Sequence, residues 1–293
     1  MLLRPARDTE EDAETVHALA TASFGDSHTL KGEPPQGPPS AERAARFREK
    51  FRHLAGTDPA GSWIAEDGPG NAVGAAQSHI REGTWGLALL VVLPGAQGKG
   101  VGGALLQRTL EYGRGCLRGL ICCSRHPAAA RSYRRAGFEL HPTIRMRGVV
   151  DRARLPAPDG PVVAGTPRDR DLLDSVDRRL RGGAHGPDHA FLMRRCRLVV
   201  ADDLAGSGYC YFREDGTVET LAATSRRLAT RVLTAALLGL DEGVTAEIQD
   251  VTAAQQWAVD VGLDAGLALR AEGFVCVRGM RPPSPYIPSG AFL

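Results

Sequence analysis

The chain has 293 residues, 43% of them apolar and 24% charged, enough for one large domain or two of ordinary size with a core that needs no staples. Its 36 basic and 34 acidic residues leave a formal charge of +2, without the concentrated basic stripe of a nucleic-acid surface. Six cysteines form no CxxC pair, and no apolar run approaches the roughly 20 residues of a membrane span. Zinc knuckles, thioredoxin-type redox chemistry and membrane insertion are therefore not expected, and no metal is. The start, MLLRPARDTEED, turns acidic without an apolar leader, and the free cysteines sit in apolar runs, so a reducing, cytoplasmic setting is expected.

Leu2 to Arg7 reads as a strand, followed by a helix that Asp8 caps and Glu10, Glu11 and Asp12 favour electrostatically. KGEPPQGPPS, Lys31 to Ser40, fits no regular element. A helix is expected from Ala41 to about Ala55, then strands at Ser62 to Glu66, Val73 to Arg81 and Trp85 to Leu93, with turns at Asp67-Gly68 and Glu82-Gly83. The third strand is apolar throughout, as for a strand covered on both faces. A glycine-rich stretch leads into a helix at Val101 to Tyr112, then come a strand at Leu117 to Cys123, a helix from Pro127 to Gly137 and a strand at Phe138 to Val150.

RARLPAPDGP, Arg152 to Pro161, has the composition of a linker, which places domains at 1–150 and 162–293 around a linker at 151–161. The second half repeats the order more faintly. Strands are expected at Val162 to Ala164, Leu198 to Ala201, Gly208 to Arg213, Val218 to Ala222, Thr245 to Gln249 and Phe274 to Arg278. Helices are expected at Asp169 to Leu180, Arg226 to Leu240 and Ala253 to Val261, the last ending at Gly262. Two echoes support duplication: RAGF (Arg135 to Phe138) beside DVGL (Asp260 to Leu263), and RMRG (Arg145 to Gly148) beside CVRG (Cys276 to Gly279). The segment PPSPYIPSGAFL is apolar enough to dock.

The chemistry centres on VVLPGAQGKGVGGALL, Val91 to Leu106. Pro94 ends the strand, and Gly98, Gly100, Gly102 and Gly103 precede or open a helix whose first N–H groups have no internal partner. With the positive end of the helix dipole, such a turn binds phosphate. Gly100 after Lys99 leaves no hydroxyl for magnesium, which argues against a nucleotide P-loop, and the glycine spacing breaks the dinucleotide fingerprint. Coenzyme A, whose diphosphate sits on a QxxGxG-type loop, remains. A bare glycine-rich turn is the alternative, at an entropic cost with no packing return.

Gln97-Gly98-Lys99-Gly100-Val101-Gly102, after a strand ending in Leu93-Pro94 and before a Tyr-x-x-x-Gly-Phe segment, resembles the acyl-CoA loop of the GNAT superfamily of N-acetyltransferases. The resemblance covers about residues 2 to 150 and reaches the second half as a degenerate copy. It implies a mixed α/β fold with two GNAT-like domains, each a mostly antiparallel central sheet flanked by helices. It also implies an acetyl-CoA-dependent acyltransferase acting on a small-molecule or protein amine. Gln97, Gly98, Lys99, Gly100, Val101, Gly102, Gly103 and Ala104 would hold the diphosphate; Val91, Val92 and Leu93 would pair with the pantetheine arm, with the Val92 N–H at the thioester oxygen. Tyr133, four residues before Gly137-Phe138, would protonate or stabilise the departing thiolate. Where the family usually has Asn, this chain has His126, which could cap the helix or touch the cofactor. Glu66, His79 and Glu82 are candidate bases, with water as the alternative.

The second half lacks this equipment: ATSRRLATRVL has no Gly before its helix, and Ala258 stands four residues before Gly262. The Lys31 to Ser40 loop lies where the family builds acceptor walls, a candidate lid. A non-catalytic acyl-CoA sensor is the competing function; it has no need of Tyr133.

Overall fold

The computed structural model describes residues 1–30 and 40–293. The proposed lid thus lies outside the described residues, save for Ser40. The chain forms two compact units, residues 1–80 with 85–116, and residues 81–84 with 117–293. The fold is mixed α/β, with mostly antiparallel sheets flanked by helices.

In the first unit, β1 (Leu2–Pro5), β2 (Ser62–Glu66), β3 (Ala72–Arg81) and β4 (Thr84–Val92) adjoin in that order. Neighbouring residues on a strand face opposite sides of the sheet, and each side finds its own helices. Ile64 and Ala75 pack against α1 (Glu10–Leu30) and α2 (Ala41–Thr57) through Val16, Leu19 and Phe51. Ala65 and Ala76 pack against α3 (Val101–Tyr112) through Val101 and Leu105. Asp8 does not cap α1: its carboxylate accepts from Arg52, and the hydroxyl of Thr9 takes the Asp12 N–H at 3.3 Å. The Glu82-Gly83 turn has positive φ at both residues, 45° and 77°, the geometry that suits a tight hairpin.

The second unit holds β5 (Arg118–Ser124), α4 (Pro127–Arg135), β6 (Glu139–Val149), β7 (Val163–Ala164), α5 (Arg170–Arg181) and α6 (Pro187–Arg195). It continues with β8 (Arg197–Asp203), β9 (Gly206–Phe212), β10 (Val218–Ala223), α7 (Arg226–Leu238), β11 (Thr245–Thr252), α8 (Gln256–Asp264), β12 (Ala268–Arg278) and β13 (Tyr286–Ile287). One sheet runs β13-β10-β9-β8-β7, antiparallel throughout. A parallel bridge from Thr217 to Glu247 relates the start of β10 to β11 across the α7 crossover. Strands β5, β12, β6 and β11 adjoin in that order, also antiparallel.

That order interleaves the two halves of the sequence. β12, from the second half, lies between β5 and β6 of the first; β6, from the first, lies between β12 and β11 of the second. The division between the compact units thus falls after Cys116.

The duplication is more regular than the sequence suggests. α4 and α8 are both nine residues long, and β6 and β12 both eleven. Between helix and strand both copies make the same turn: the Phe138 N–H reaches the Tyr133 carbonyl at 3.0 Å, and the Leu267 N–H reaches the Gly262 carbonyl at 2.9 Å. The turn glycines are Gly137 (φ 86°) and Gly266 (φ 78°). So α8 does not end at Gly262, and the counterpart of Tyr133 is Gly262, not Ala258. Gly262 serves close packing, since a Cβ there would sit 2.4 Å from the Met146 sulfur. Helix α6 was not expected.

Candidate functional site

Residues 91–104 fold as the glycine pattern requires. After β4, Pro94–Ala96 make one tight helical turn, and α3 opens at Val101. The backbone is left-handed at Gly98 (φ 76°) and at the cap Gly100 (φ 85°), where a side chain would be strained. No side chain caps α3, so the first N–H groups of the helix, at Val101, Gly102 and Gly103, have no acceptor behind them. A Cβ built at Gly98, Gly100 or Gly103 would meet nothing within 4 Å, and one at Gly102 only a Val92 methyl at 3.5 Å. Crowding inside the unit does not demand these glycines. The cradle is open, and Gln97, Gly98, Lys99 and Gly100 are exposed along it, with Ala104 half-buried one turn in.

The strand before it has two kinds of backbone position. Leu93 donates its N–H to the Val73 carbonyl at 2.9 Å, so it is not available to a ligand. Backbone groups alternate in direction along a strand, which turns those of Val92 away from β3. The Val92 carbonyl accepts from Gln97 Nε2 at 3.1 Å, a contact that ties the loop to the strand end and that the sequence does not reveal.

In the second unit, Tyr133 is the buried residue of α4, 4% exposed. Its hydroxyl makes no hydrogen bond among the described residues. Burial, with the neighbouring thiols of Cys123 and Cys276, pushes the phenol well above its ordinary pKa. It therefore stays protonated at neutral pH and can serve as an acid, not as a base. His126 caps α4: its Nδ1 accepts the Ala128 N–H at 3.3 Å, the role the family's usual Asn would fill.

The candidate bases fare differently. Glu66 accepts from Arg4 Nε at 2.6 Å. Glu82 takes two guanidinium nitrogens of Arg178 and the Ala184 N–H, which lower its carboxyl below the usual range and weaken it as a base. His79 is fully buried.

The second half offers a contrast at the start of α7. Ser225 caps that helix, its hydroxyl accepting the Leu228 N–H at 3.3 Å. No left-handed glycine opens it.

Comparison with known proteins agrees with this geometry. Residues 27–138 match the family described as "Acetyltransferase (GNAT) family". The matched stretch takes in both the glycine loop and Tyr133. No curated protein sequence matches the chain. A candidate acetyltransferase from Pyrococcus horikoshii superposes over 99% of this chain and 94% of its own with a TM-score of 0.73, at 18% identity. A GCN5-related N-acetyltransferase from Sphaerobacter thermophilus (94% and 95% covered, TM-score 0.59, 16% identity) shares the fold. So does a tandem GNAT protein from the clavulanic acid biosynthesis pathway (96% and 99%, TM-score 0.59, 13% identity). At these identities the likeness is one of fold. Together with the GNAT domain it supports acyl transfer as the class of chemistry.

No site is expected from the sequence between Asp169 and Leu198. The structure brings Asp177, His185 and His189 together there, fully buried. The signal available was the spacing His185-x-x-x-His189, although His185 precedes α6 instead of lying on it.

Proposed function

We propose that the chain is an N-acetyltransferase that moves the acetyl group of acetyl-CoA to an amine, small or on a protein, by direct attack. In this reading residues 1–150 are the catalytic GNAT domain, 151–161 the linker and 162–293 a degenerate copy. The observation that carries it is the uncapped, glycine-opened start of α3, set against the serine-capped start of α7. A helix that leaves its first N–H groups bare needs an acceptor from outside, and a diphosphate is one.

Each named residue then has a part. The amides from Gly98 to Gly103 grip the diphosphate, with Lys99 exposed beside it; the Gln97 and Ala104 N–H groups, held by the Pro94 and Gly100 carbonyls, border the cradle. Along Val91, Val92 and Leu93 it is the backbone of Val92, turned away from β3, that meets the pantetheine arm, and the Val92 N–H donates to the thioester oxygen as charge builds there. Gln97 Nε2 braces the next peptide, Val92–Leu93, by donating to the Val92 carbonyl. His126 spends Nδ1 on capping and keeps Nε2 for the cofactor. The amine nitrogen bonds to the thioester carbon and gives its proton to water; the C–S bond breaks, and Tyr133 donates its proton to the thiolate. This chemistry needs no metal, and the cytoplasm supplies the co-substrate.

The test is calorimetric titration with acetyl-CoA, then thiol release over a panel of amines. Binding of acetyl-CoA with turnover on at least one amine supports the reading. Binding with no turnover on any amine, unchanged by Tyr133→Phe, would leave a sensor in its place. Failure to bind would end both.

A further inference from the structure

We propose that Asp177, His185 and His189, joined by Asp174, form a binding site for a divalent metal ion of the zinc class in the second unit. The site is separate from acetyl transfer and does not depend on that reading.

Sequence and fold bring the ligands together. Asp174 and Asp177 lie one turn apart on α5, His185 sits in the turn that follows, and His189 is in the first turn of α6. Asp177, His185 and His189 are completely buried, and their ligand atoms all lie within 4.8 Å of one another. Asp177 Oδ2 is 2.6 Å from His185 Nδ1 and 3.0 Å from His189 Nε2. Asp174 Oδ1, a buried oxygen with no hydrogen-bond donor among the described residues, is 3.5 Å from the same His189 nitrogen.

The far side of each ligand is held as well. The Tyr209 hydroxyl donates to the other oxygen of Asp177. His189 Nδ1 meets the Tyr211 hydroxyl at 3.2 Å. His185 Nε2 meets the Leu293 carbonyl at 3.1 Å. Ligand imidazoles and carboxylates are anchored in this way at metal sites, where the outer partner fixes tautomer and orientation.

The Leu293 main-chain oxygen can only accept, and the Tyr286 hydroxyl lies 2.8 Å from it and 3.4 Å from His185 Nε2. With its hydrogen on Nε2, His185 turns the Nδ1 lone pair to a carboxylate oxygen at 2.6 Å, and a bound cation would stand between the two acceptors. Arg181 is 1% exposed, and none of its guanidinium nitrogens has a hydrogen-bond partner among the described residues. Two carboxylates bring two negative charges to the site, which match the charge of a divalent ion and leave that guanidinium to be offset from elsewhere.

Two imidazole nitrogens and two carboxylate oxygens suit zinc, with bonds of about 2.0–2.2 Å and neighbouring ligand atoms about 3.3 Å apart. The Asp177 oxygen would draw back by less than an ångström and Asp174 would swing in.

The experiment uses the full chain without an affinity tag, stripped with a chelator and dialysed. Zinc is titrated by calorimetry and cobalt by visible absorption. One ion per chain is expected, with the intense visible bands of tetrahedral cobalt. Asp177→Asn and His189→Gln should each weaken binding at least 100-fold. Tyr211→Phe, which removes only an outer partner, should weaken it roughly 10-fold with the stoichiometry kept, and His53→Gln, on α2 of the first unit, should leave zinc uptake unchanged. Should the ligand variants fail to fold, nitrogen-15 spectra of the wild-type histidines decide: zinc must shift His185 Nδ1 and His189 Nε2. No uptake, uptake that survives His189→Gln, or a doubly protonated His185 indifferent to zinc would overturn the site and leave a proton-bridged histidine–carboxylate pair.

Discussion

Helices α4 and α8 are built alike: equal length, the same hydrogen-bonded glycine turn at the end, and an eleven-residue strand after it. Yet four residues before the turn glycine one has Tyr133 and the other Gly262. The turn forms with either residue, so the fold does not require the phenol. A tyrosine whose ring is buried and whose hydroxyl has no hydrogen bond among the described residues fits the proton-donor role proposed for it. The helices before them differ in the same sense, since α7 closes its own start with Ser225 and α3 leaves its start open at Gly100. One copy caps its helix with its own side chain; the other has no side-chain cap there, which is where the proposed cofactor would bind.

The sharpest way to break this comparison is Tyr133→Phe. It should lower turnover by about 10²–10⁴-fold while leaving acetyl-CoA affinity unchanged, read from thiol-release kinetics beside calorimetry. Full turnover would make the phenol as dispensable as its counterpart is. Next comes the buried ion pair of the first unit, where Arg4 holds both oxygens of Asp12 at 2.9 and 3.0 Å and the Arg7 N–H adds a third bond. Asp12→Asn should cost about 3 kcal/mol by urea denaturation, the lower end for a buried pair because Arg4 is partly exposed. Burial pushes the Asp12 carboxyl up, but Arg4 and the Arg7 N–H pull it further down, so its net shift is below the ordinary value. Its contribution is therefore complete above the ordinary carboxylate range and drains away as pH falls through the lowered value. Denaturation midpoints between pH 3 and 7 should show that acid slope in the native chain and a shallower one in Asp12→Asn.

Gly262→Ala should destabilise by about 1–3 kcal/mol through overpacking against Met146. A neutral outcome would mean that close packing is not what keeps glycine opposite Tyr133. The smallest effect belongs to Ser225→Ala, about 1 kcal/mol, the worth of a helix cap. Acetyl-CoA affinity should not respond to it, whereas a change there would show the second copy to be part of the cofactor site.

The sequence was most legible where local chemistry decides. Ser62–Glu66 and Val101–Tyr112 have the ends their patterns imply, and the left-handed glycines at 98 and 100 stand where the loop needs them. It was ambiguous where two local answers compete. Gly262-Leu263 and Gly266-Leu267 both imitate Gly137-Phe138, and only the backbone, left-handed at Gly266, chooses between them. Asp8 and Thr9 are both good caps, and an arginine from α2 takes the first. Helix α6 was hidden because it is nine residues long, follows Gly182, Gly183 and Gly186, and packs its short apolar run Ala190 to Met193 within a polar frame. The meeting of Asp177 with His185 and His189, like the Gln97 brace on Val92, depends on side-chain direction that no periodicity encodes.

The crossing of β6 and β12 bears on how this protein is made. A ribosome releases β5 and β6 long before β12 exists, so the two flank a gap that only the last strands of the chain can fill. Until then their unpaired edges invite any neighbouring strand. A gene cut at the linker would yield two polypeptides each holding a strand the other lacks. Mixed together they should associate, and alone each should aggregate.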